Sequence, residues 1–129
     1  MSKLEEVIRQ LEQLKAAVPE VRGVLLASVE GLAIAHQLAP GIDPQRLSAM
    51  AAAACSLGRR VSDSLTIGSM HEINVAASEG HLFVYSAGSK AVLAVLGPGG
   101  ANAGLIHLEA RDTARQIGEI FDGRVPAAA

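Results

Sequence analysis

Aromatic residues are scarce in this chain of 129 residues, which holds two Phe, one Tyr and no Trp. A folded core must therefore be filled mainly by Leu, Ile, Val and Ala. Proteins that bind nucleic acid combine a basic stripe with stacking aromatics, and neither is present. The 11 basic and 13 acidic residues give a net charge of −2, and the longest basic run is the pair Arg59-Arg60. We therefore expect no nucleic-acid partner.

Cysteine and long apolar runs are equally rare. Cys55 is the one cysteine, so no internal disulfide can form, which is typical of a reducing compartment. No uncharged apolar run reaches the roughly 18 residues that span a bilayer. The charged N-terminal segment MSKLEEVIRQLEQLK also lacks the apolar centre of a signal peptide. These absences predict a cytoplasmic protein that is not inserted in a membrane.

Motifs for catalysis, phosphate binding or metal binding are also missing. The glycine-rich segment 97–104, GPGGANAG, leads from a predicted strand into a predicted helix. It lacks the Lys-Ser/Thr pair of a phosphate loop and does not match GxGxxG. The histidines have no metal-ligand spacing, no serine lies in a GxSxG elbow, and no acid–base pair stands out. We predict that the chain is not an enzyme and needs no metal or cofactor.

The chain does contain enough apolar residues for one globular domain. Half of its residues are hydrophobic, 19% are charged, and the mean hydropathy is +0.31. This composition argues against disorder, and the length suits a single core. We predict one domain over residues 1–123, followed by a short flexible tail over residues 124–129.

Two of three predicted helices lie near the ends of the chain. The first begins with Ser2 and Glu5 at capping-box spacing and ends before Pro19. The last begins at Asn102, a suitable N-cap, and ends at Gly123. Both have apolar residues at helical spacing, so each has one face to bury.

The second predicted helix is the longest and is rich in small side chains. Asp43 is placed as its N-cap, and Pro44 occupies the first helical position. Small side chains let another backbone approach closely, so we expect this helix to pack on both of its faces. Its predicted apolar face consists of Leu47, Met50, Ala51, Ala54, Leu57, Gly58, Val61 and Leu65.

Five short strands are predicted between these helices. Two apolar runs around a turn at Gly31 predict a hairpin over residues 21–36. Three more runs predict a meander over residues 70–97, whose first strand, Met70–Ala77, alternates as an edge strand does, while Ala91–Leu96 is apolar enough to be central. The order α-β-β-α-β-β-β-α predicts an α+β fold. In it, a five-stranded antiparallel sheet has the long helix on one face and the terminal helices on the other.

Three segments resemble one known family: VLLASVEGLAIA (Val24–Ala35), HLFVYSAGSKAVLAVL (His81–Leu96) and ANAGLIHLE (Ala101–Glu109). In order and spacing they are similar to the roadblock/LC7 domain, in its MglB-like bacterial branch, whose fold is profilin-like. Glu30 stands where Asp is commoner in the family's first turn, which preserves the geometry of the turn. The resemblance covers roughly residues 18–121.

The resemblance implies a function that the spacings alone do not. It implies a homodimer or a heterodimer in which two sheets join edge to edge and two long helices lie side by side, forming a platform for a Ras-like small GTPase; we expect the homodimer. The chain would then regulate that GTPase, by activating hydrolysis or by binding one nucleotide state selectively, without enzymatic activity of its own. The platform would comprise Leu47, Met50, Ala51, Ala54, Cys55, Gly58, Arg59 and Asp63. The dimer edge strand would comprise Met70, Glu72, Ile73, Asn74, Val75 and Ala76.

Alternatives stay open from the sequence. A dimer of the same fold could be a scaffold or adaptor that leaves GTP turnover unchanged. A small-ligand sensor domain would instead need a polar-lined cavity, whereas the candidate core is nearly all aliphatic. Arg59 or Arg60 could act as an arginine finger on the GTPase. Arginines on a helix are more often solvated or paired, here with Asp63. The favoured interpretation is that these arginines contact acidic residues of the partner.

Overall fold

The structure is a computed structural model and describes residues 1–123; the predicted tail, 124–129, lies outside the described residues. Three helices and five strands follow the predicted order, so the predicted fold class is confirmed. Their bounds are α1 Lys3–Ala17, β1 Gly23–Ser28, β2 Ala33–Leu38, α2 Pro44–Leu65, β3 Glu72–Ala76, β4 Gly80–Ala87, β5 Ala91–Pro98 and α3 Ala103–Asp122.

The sheet is antiparallel throughout, with the strand order β2-β1-β5-β4-β3. β5 lies in the middle, which confirms the prediction from its apolar sequence, and β3 lies at an edge, as its alternation predicted. The other edge strand, β2, pairs irregularly with β1 at Leu26 and Ala27. β3 pairs with β4 in unbroken register. A regular edge strand such as β3 is a template for pairing with another chain.

The two faces of the sheet carry separate cores, because each helix has one apolar face to bury. α1 and α3 cover the larger core, where Leu11, Phe83, Tyr85, Leu93 and Ile117 are fully buried. α2 covers the smaller core on the opposite face. That core is built from Leu25, Ala27, Leu47, Ala51, Cys55, Val84, Val92 and Ala94.

The buried face of α2 differs from the predicted one. Leu47, Ala51 and Gly58 of the predicted stripe face the sheet, but the other large members do not. Two serines take part instead: Ser48 Oγ and Ser62 Oγ donate to carbonyls one turn earlier in the helix, at 2.7 and 3.0 Å. Because such a hydroxyl is satisfied by its own helix, it can face a core, which the apolar pattern did not indicate. The exposed members of the predicted stripe are Met50, Leu57, Val61 and Leu65.

The predicted helix starts are confirmed. Ser2 Oγ accepts a hydrogen bond from Glu5 N at 3.1 Å, and the Glu5 carboxylate accepts one from Ser2 N at 3.4 Å. The Asp43 carboxylate accepts from two N–H groups of α2, and Asn102 Oδ1 accepts from one of α3. These caps satisfy N–H groups that the first helical turn leaves unpaired.

The second half of α3 lies very close to the β4–β5 turn. A Cβ on Gly118 would lie 2.7 Å from the amide nitrogen of Gly88 and 3.0 Å from its Cα. Gly88 itself adopts φ +70°, a conformation that side chains disfavour. The Asp122 carboxylate then accepts from Ser89 N at 2.8 Å. This contact seats α3 on the sheet and brings its middle turns over β4.

Candidate interaction surface

The solvent side of α2 carries an uncovered apolar stripe. The exposed fractions are 52% for Met50, 55% for Leu57, 46% for Val61 and 63% for Leu65. These four residues, called the α2 stripe below, recur at whole helical turns and so share one row. Just after the end of the helix, Ile67 is 67% exposed as well. A contiguous row of this kind is typical of a surface that binds another protein.

The α2 stripe borders the edge strand β3. A side chain on Gly58, the neighbour of Leu57, would collide with Met70 and touch Ile73, so α2 crosses closely over the start of β3. Ile73 packs into the smaller core, and Val75, on the same face of β3, is 56% exposed. The stripe and this face of β3 thus form one continuous apolar surface at the edge of the sheet.

The free edge of β3 offers backbone hydrogen-bonding groups at alternate residues. At one end of the β3–β4 ladder, Ala77 N donates to Gly80 O at 2.9 Å. At the other end, His71 O accepts from a β4 N–H at 3.4 Å. The odd-numbered residues therefore bond to β4, and the even-numbered ones direct N–H and C=O away from it. The outward-directed residues are Glu72, Asn74 and Ala76.

The predicted partner platform is only partly accessible. Its buried members are Leu47, Ala51, Cys55 and Gly58. These four residues lie on the side of α2 that faces the sheet, so they cannot contact a partner directly. Burial, partly opposed by the positive charge of Arg59, raises the pKa of the Cys55 thiol. The accessible members are Met50, Ala54, Arg59 and Asp63.

Arg59 is held by the sheet. Its Nη2 donates to Ser86 Oγ at 2.7 Å, and Ser86 Oγ donates to the carbonyl of Gly88 at 3.1 Å. Within residues 1–123 it forms no ion pair with Asp63, which was one of the alternatives left open by the sequence. The long side chain instead reaches from α2 to β4, which links the helix to the sheet.

A polar cluster that the sequence did not indicate lies on the other face of the same edge. His107 Nδ1, on α3, is 2.7 Å from Tyr85 Oη and 2.9 Å from Glu72 Oε2. Tyr85 is 1% exposed, and burial, reinforced by the Glu72 carboxylate and opposed by Arg111, raises the pKa of its phenol. His107 itself is half-buried. The cluster ties the edge strand to α3 through side chains.

A second polar contact lies at the middle of β3. His81 stacks on Phe83 with 3.9 Å between ring centroids, and its Nε2 lies 3.1 Å from Asn74 Oδ1. The α3-side face of β3 therefore carries two polar residues, Glu72 and Asn74. The opposite face carries the apolar pair Ile73 and Val75, so the two faces of the edge differ in chemistry.

An open groove of about 580 Å³ lies between α3 and the chain just before β3. Among its lining residues, Arg115 is bonded to Asp112 at 2.7 Å and to Glu119 at 2.9 Å. The hydrogen bond from Arg115 lowers the pKa of the Asp112 carboxyl. Arg111 has no hydrogen bond or ion pair within the described part of the chain, so it is the groove's unpaired cation. The lining also includes Met70, His71, Tyr85, Ser86 and Gly88.

The described residues do not assemble a reaction centre of a familiar kind. Over residues 1–123, no group of three or more His, Cys, Asp or Glu is placed to hold a metal ion. The Cys55 thiol is buried with a raised pKa, and the Tyr85 phenol is likewise held in its neutral form. No helix in this range is long and apolar enough to cross a membrane. The exposed features are thus a helix stripe, a sheet edge and a groove.

The fold and the surface together define a class of protein. It is a layered α+β domain with a free sheet edge beside an exposed apolar helix face. The chain belongs to the roadblock/LC7 domain family, whose model matches residues 7–97. The resemblance seen in the sequence is thereby confirmed. The matched range runs from α1 through β5 and includes both the α2 stripe and β3.

Solved structures share nearly the whole fold. MglB of Myxococcus xanthus has a TM-score of 0.85 at 16% identity, covering 100% of this chain and 97% of that one. A roadblock/LC7 domain from Streptomyces avermitilis has a TM-score of 0.79 at 26% identity, covering 89% and 97%. An uncharacterized protein of Methanocaldococcus jannaschii is 28% identical over 101 residues, which are 78% of this chain and 88% of the relative. The likeness to MglB is one of fold.

Proposed function

We propose that this protein is a dimeric regulator of a Ras-like small GTPase. It binds one nucleotide state of the GTPase more tightly than the other and has no catalytic activity of its own. One observation carries the proposal: an apolar helix stripe and an unpaired sheet edge lie side by side, uncovered, on a roadblock/LC7 fold. Both features call for a protein partner.

Self-association covers both exposed features at once. In a closed twofold dimer the same surface serves on both copies, so the sheet extends through β3 while the α2 stripes meet. Pairing the edges satisfies backbone groups that would otherwise attract other strands. Each of Leu57, Val61 and Leu65 is about half exposed, and covering it contributes about 1 kcal/mol per copy. The dimer thus needs no rearrangement of the monomer.

The paired helices leave the outward side of α2 free for the GTPase. Arg60 lies there, exposed, and the accessible platform residue Asp63, three positions further along the helix, borders it. Charged side chains of both signs suit the polar rim of a non-obligate interface. The structural likeness to MglB and the family membership support a GTPase as the partner.

Regulation follows from a difference in binding. The switch segments of a Ras-like GTPase change conformation with the bound nucleotide. A dimer surface that fits one conformation better shifts the population towards it. Arg59 is already bonded to Ser86 and serves to position α2, so an arginine finger is not part of the proposal. The remaining arginine of the pair, Arg60, contacts acidic residues of the GTPase.

The dimer is tested by a charge on the α2 stripe. Val61→Glu places two carboxylates in the apolar seam, where they lose their hydration. We expect sedimentation to show a monomer and GTPase binding to fall with it. Leu108→Glu is the matched control, because Leu108 is 69% exposed but lies on α3, across the sheet. It should leave both dimer and binding unchanged.

The platform is tested separately with Arg60→Glu. This change leaves the seam intact, so we expect an unchanged dimer whose affinity for the GTPase falls about tenfold, since like charges then oppose each other across the interface. An unchanged dimer after Val61→Glu would exclude the α2 stripe from the dimer interface. A wild-type dimer that binds the GTPase in neither nucleotide state would favour a scaffold instead.

A further inference from the structure

One nitrogen atom in the polar cluster on the α3 side of the sheet lies within hydrogen-bonding distance of two partners. His107 Nδ1 is 2.7 Å from Tyr85 Oη and 2.9 Å from Glu72 Oε2. A ring nitrogen either carries a hydrogen and donates it, or lacks one and accepts. A carboxylate only accepts, whereas the phenol has one hydrogen to donate. Nδ1 therefore cannot donate to Glu72 and accept from Tyr85 at the same time.

The charge of the His107 ring decides which of the two contacts is a hydrogen bond. In the imidazolium both nitrogens carry hydrogen, and the bond from Nδ1 to the Glu72 carboxylate is charge-assisted, so it outweighs the acceptor that the Tyr85 hydroxyl gives up. In the neutral ring one nitrogen lacks a hydrogen. Because the Tyr85 hydroxyl is buried and needs an acceptor, Nδ1 is that nitrogen. Its lone pair then faces the Glu72 carboxylate and repels it.

A second cation lies one helical turn further along α3. Arg111 follows His107 by four residues, so the two side chains share one face of the helix. Arg111 has no hydrogen bond or ion pair within the described part of the chain. Burial raises the pKa of the Tyr85 phenol, the Glu72 carboxylate raises it further, and the Arg111 guanidinium lowers it. Both charges therefore act on the same phenol, and Arg111 is placed to receive a carboxylate that leaves His107.

We propose that loss of a proton from His107 moves the Glu72 carboxylate from His107 Nδ1 to the Arg111 guanidinium. The charged ring holds the carboxylate, as in the structure, whereas the neutral ring accepts from Tyr85 and releases it. Because Glu72 is the first residue of β3, the edge strand is bound to a different turn of α3 in each state. Arg111 also lines the groove beside α3, so the groove loses its unpaired cation when the ring is neutral.

A second imidazole lies near the same strand. The titratable and charged groups that face His107 from β3, from β4 and from its own helix are Glu72, Tyr85 and Arg111. The His107 ring also contacts the Phe83 ring edge-on, with 5.1 Å between centroids, and His81 stacks on Phe83 at 3.9 Å. His81 Nε2 lies 3.1 Å from Asn74 Oδ1 on β3. A test of the proposal must therefore separate the effect of His107 from that of His81.

Nitrogen NMR of the His107 ring tests the change of hydrogen-bond partner, because it shows which ring nitrogens carry hydrogen. We compare about pH 5 with about pH 8, on either side of the range in which histidine ordinarily titrates. Both nitrogens should carry hydrogen at the lower pH and only Nε2 at the higher. Tyr85→Phe is the control, because without the hydroxyl the neutral ring should keep a hydrogen on Nδ1 for Glu72. A neutral wild-type ring with its hydrogen on Nδ1 would overturn the proposal.

The edge strand supplies an independent measurement. Ile73, next to Glu72, bonds to β4 through its backbone, so hydrogen exchange of its amide reports opening at the start of β3. Arg111→Gln should lower the protection factor of this amide about threefold at about pH 8, the effect of one partly exposed ion pair, and leave it unchanged at about pH 5. Arg115→Gln is the matched control, because Arg115 pairs with carboxylates of its own helix. It should change the protection at neither pH.

Two further variants identify the groups that take part. In a Glu72→Gln background the carboxylate is gone, so Arg111→Gln should have no effect on the Ile73 amide at either pH. In a His81→Gln background the effect of Arg111→Gln should remain and should still depend on pH. Loss of that dependence with His81 would show that His107 is not the group whose proton matters. An effect of Arg111→Gln that is equal at both pH values, or absent at both, would show that Glu72 does not move between the two cations.

Discussion

Tyr85 is the residue whose surroundings can be followed most directly, because it is the one Tyr in a chain without Trp. Its phenol is 1% exposed and lies 2.7 Å from His107 Nδ1. Burial raises the pKa of this phenol, and the Glu72 carboxylate raises it further. A charged phenolate at this position would lose its hydration beside a negative charge. The folded protein therefore holds Tyr85 in its neutral form.

We predict that Tyr85 in the folded protein ionises only above the pH of about 10 that is ordinary for tyrosine. The unfolded chain releases the phenol proton near that pH, whereas the folded chain retains it. The contribution of the Tyr85 phenol to the free energy of unfolding is therefore fully present below about pH 10. It is lost as the pH rises towards the folded-state pKa, by up to about 1.4 kcal/mol per pH unit. Near-ultraviolet titration and urea unfolding at alkaline pH measure both effects.

The Tyr85→Phe variant is the control for this titration. It removes the ionising group, so its stability should not show this part of the alkaline decline. An ordinary tyrosine titration curve in the folded wild-type protein would contradict the buried, hydrogen-bonded environment. Loss of the phenol also leaves His107 bonded to Glu72 alone.

Local contacts were predictable at the residue scale, and distant ones were not. The caps at Ser2 and Asp43 involve neighbours within one helical turn, so spacing alone indicates them. The Tyr85–His107–Glu72 cluster joins three elements. Its members meet through the β3–β4 register and the seating of α3, neither of which residue spacing specifies.

At the scale of elements, α2 shows that a periodic pattern can predict a helix without deciding which of its faces is buried. The pattern predicts the helix and its start at Asp43, but α2 has apolar residues over two adjacent faces. Ser48 and Ser62 lie on the buried face, and Leu57 and Val61 on the exposed one. Hydrophobicity alone assigns these four residues to the wrong faces. The pattern does not distinguish an apolar residue that would contact another protein from one that packs in the monomer's own core.

The close contact between α3 and the β4–β5 turn gives a prediction for a single element. Gly118→Ala places a Cβ against the backbone of Gly88, which cannot move aside as a flexible side chain can. We expect the free energy of unfolding to fall by about 1–3 kcal/mol, as overpacking usually does, measured by urea unfolding. Gly104→Ala is the matched control in the same helix, where only Asn102 lies near. It should be neutral or stabilising by up to about 1 kcal/mol. Equal effects of the two changes would contradict the close approach.

At the scale of the whole molecule, the element order predicted the layers of the fold. Each of the three helices has an apolar face, and five short strands between them can bury all three faces only as a sheet covered on both sides. The central place of β5 and the edge place of β3 followed from how apolar each strand is. The open groove beside α3 did not follow, because it depends on where β3 begins relative to β4.

The proposed regulation also belongs to the whole molecule, since the proposed dimer uses both α2 and β3. A regulator must discriminate between two states of its partner, and a ligand that binds both states equally shifts nothing. The proposed dimer seam, formed by the exposed α2 stripe and the free edge of β3, lies beside the outward side of α2. Dimer formation and GTPase binding are therefore expected to depend on different residues of the same helix.

The most direct test measures the affinity of the wild-type dimer for a candidate Ras-like GTPase, such as one encoded beside this gene, loaded with GDP or with a non-hydrolysable GTP analogue. The proposed regulation predicts affinities that differ by at least about fivefold between the two states. It also predicts that Arg60→Glu lowers the stronger affinity without dissociating the dimer. Equal affinities, or no binding in either state by a stable dimer, would contradict a role in GTPase regulation.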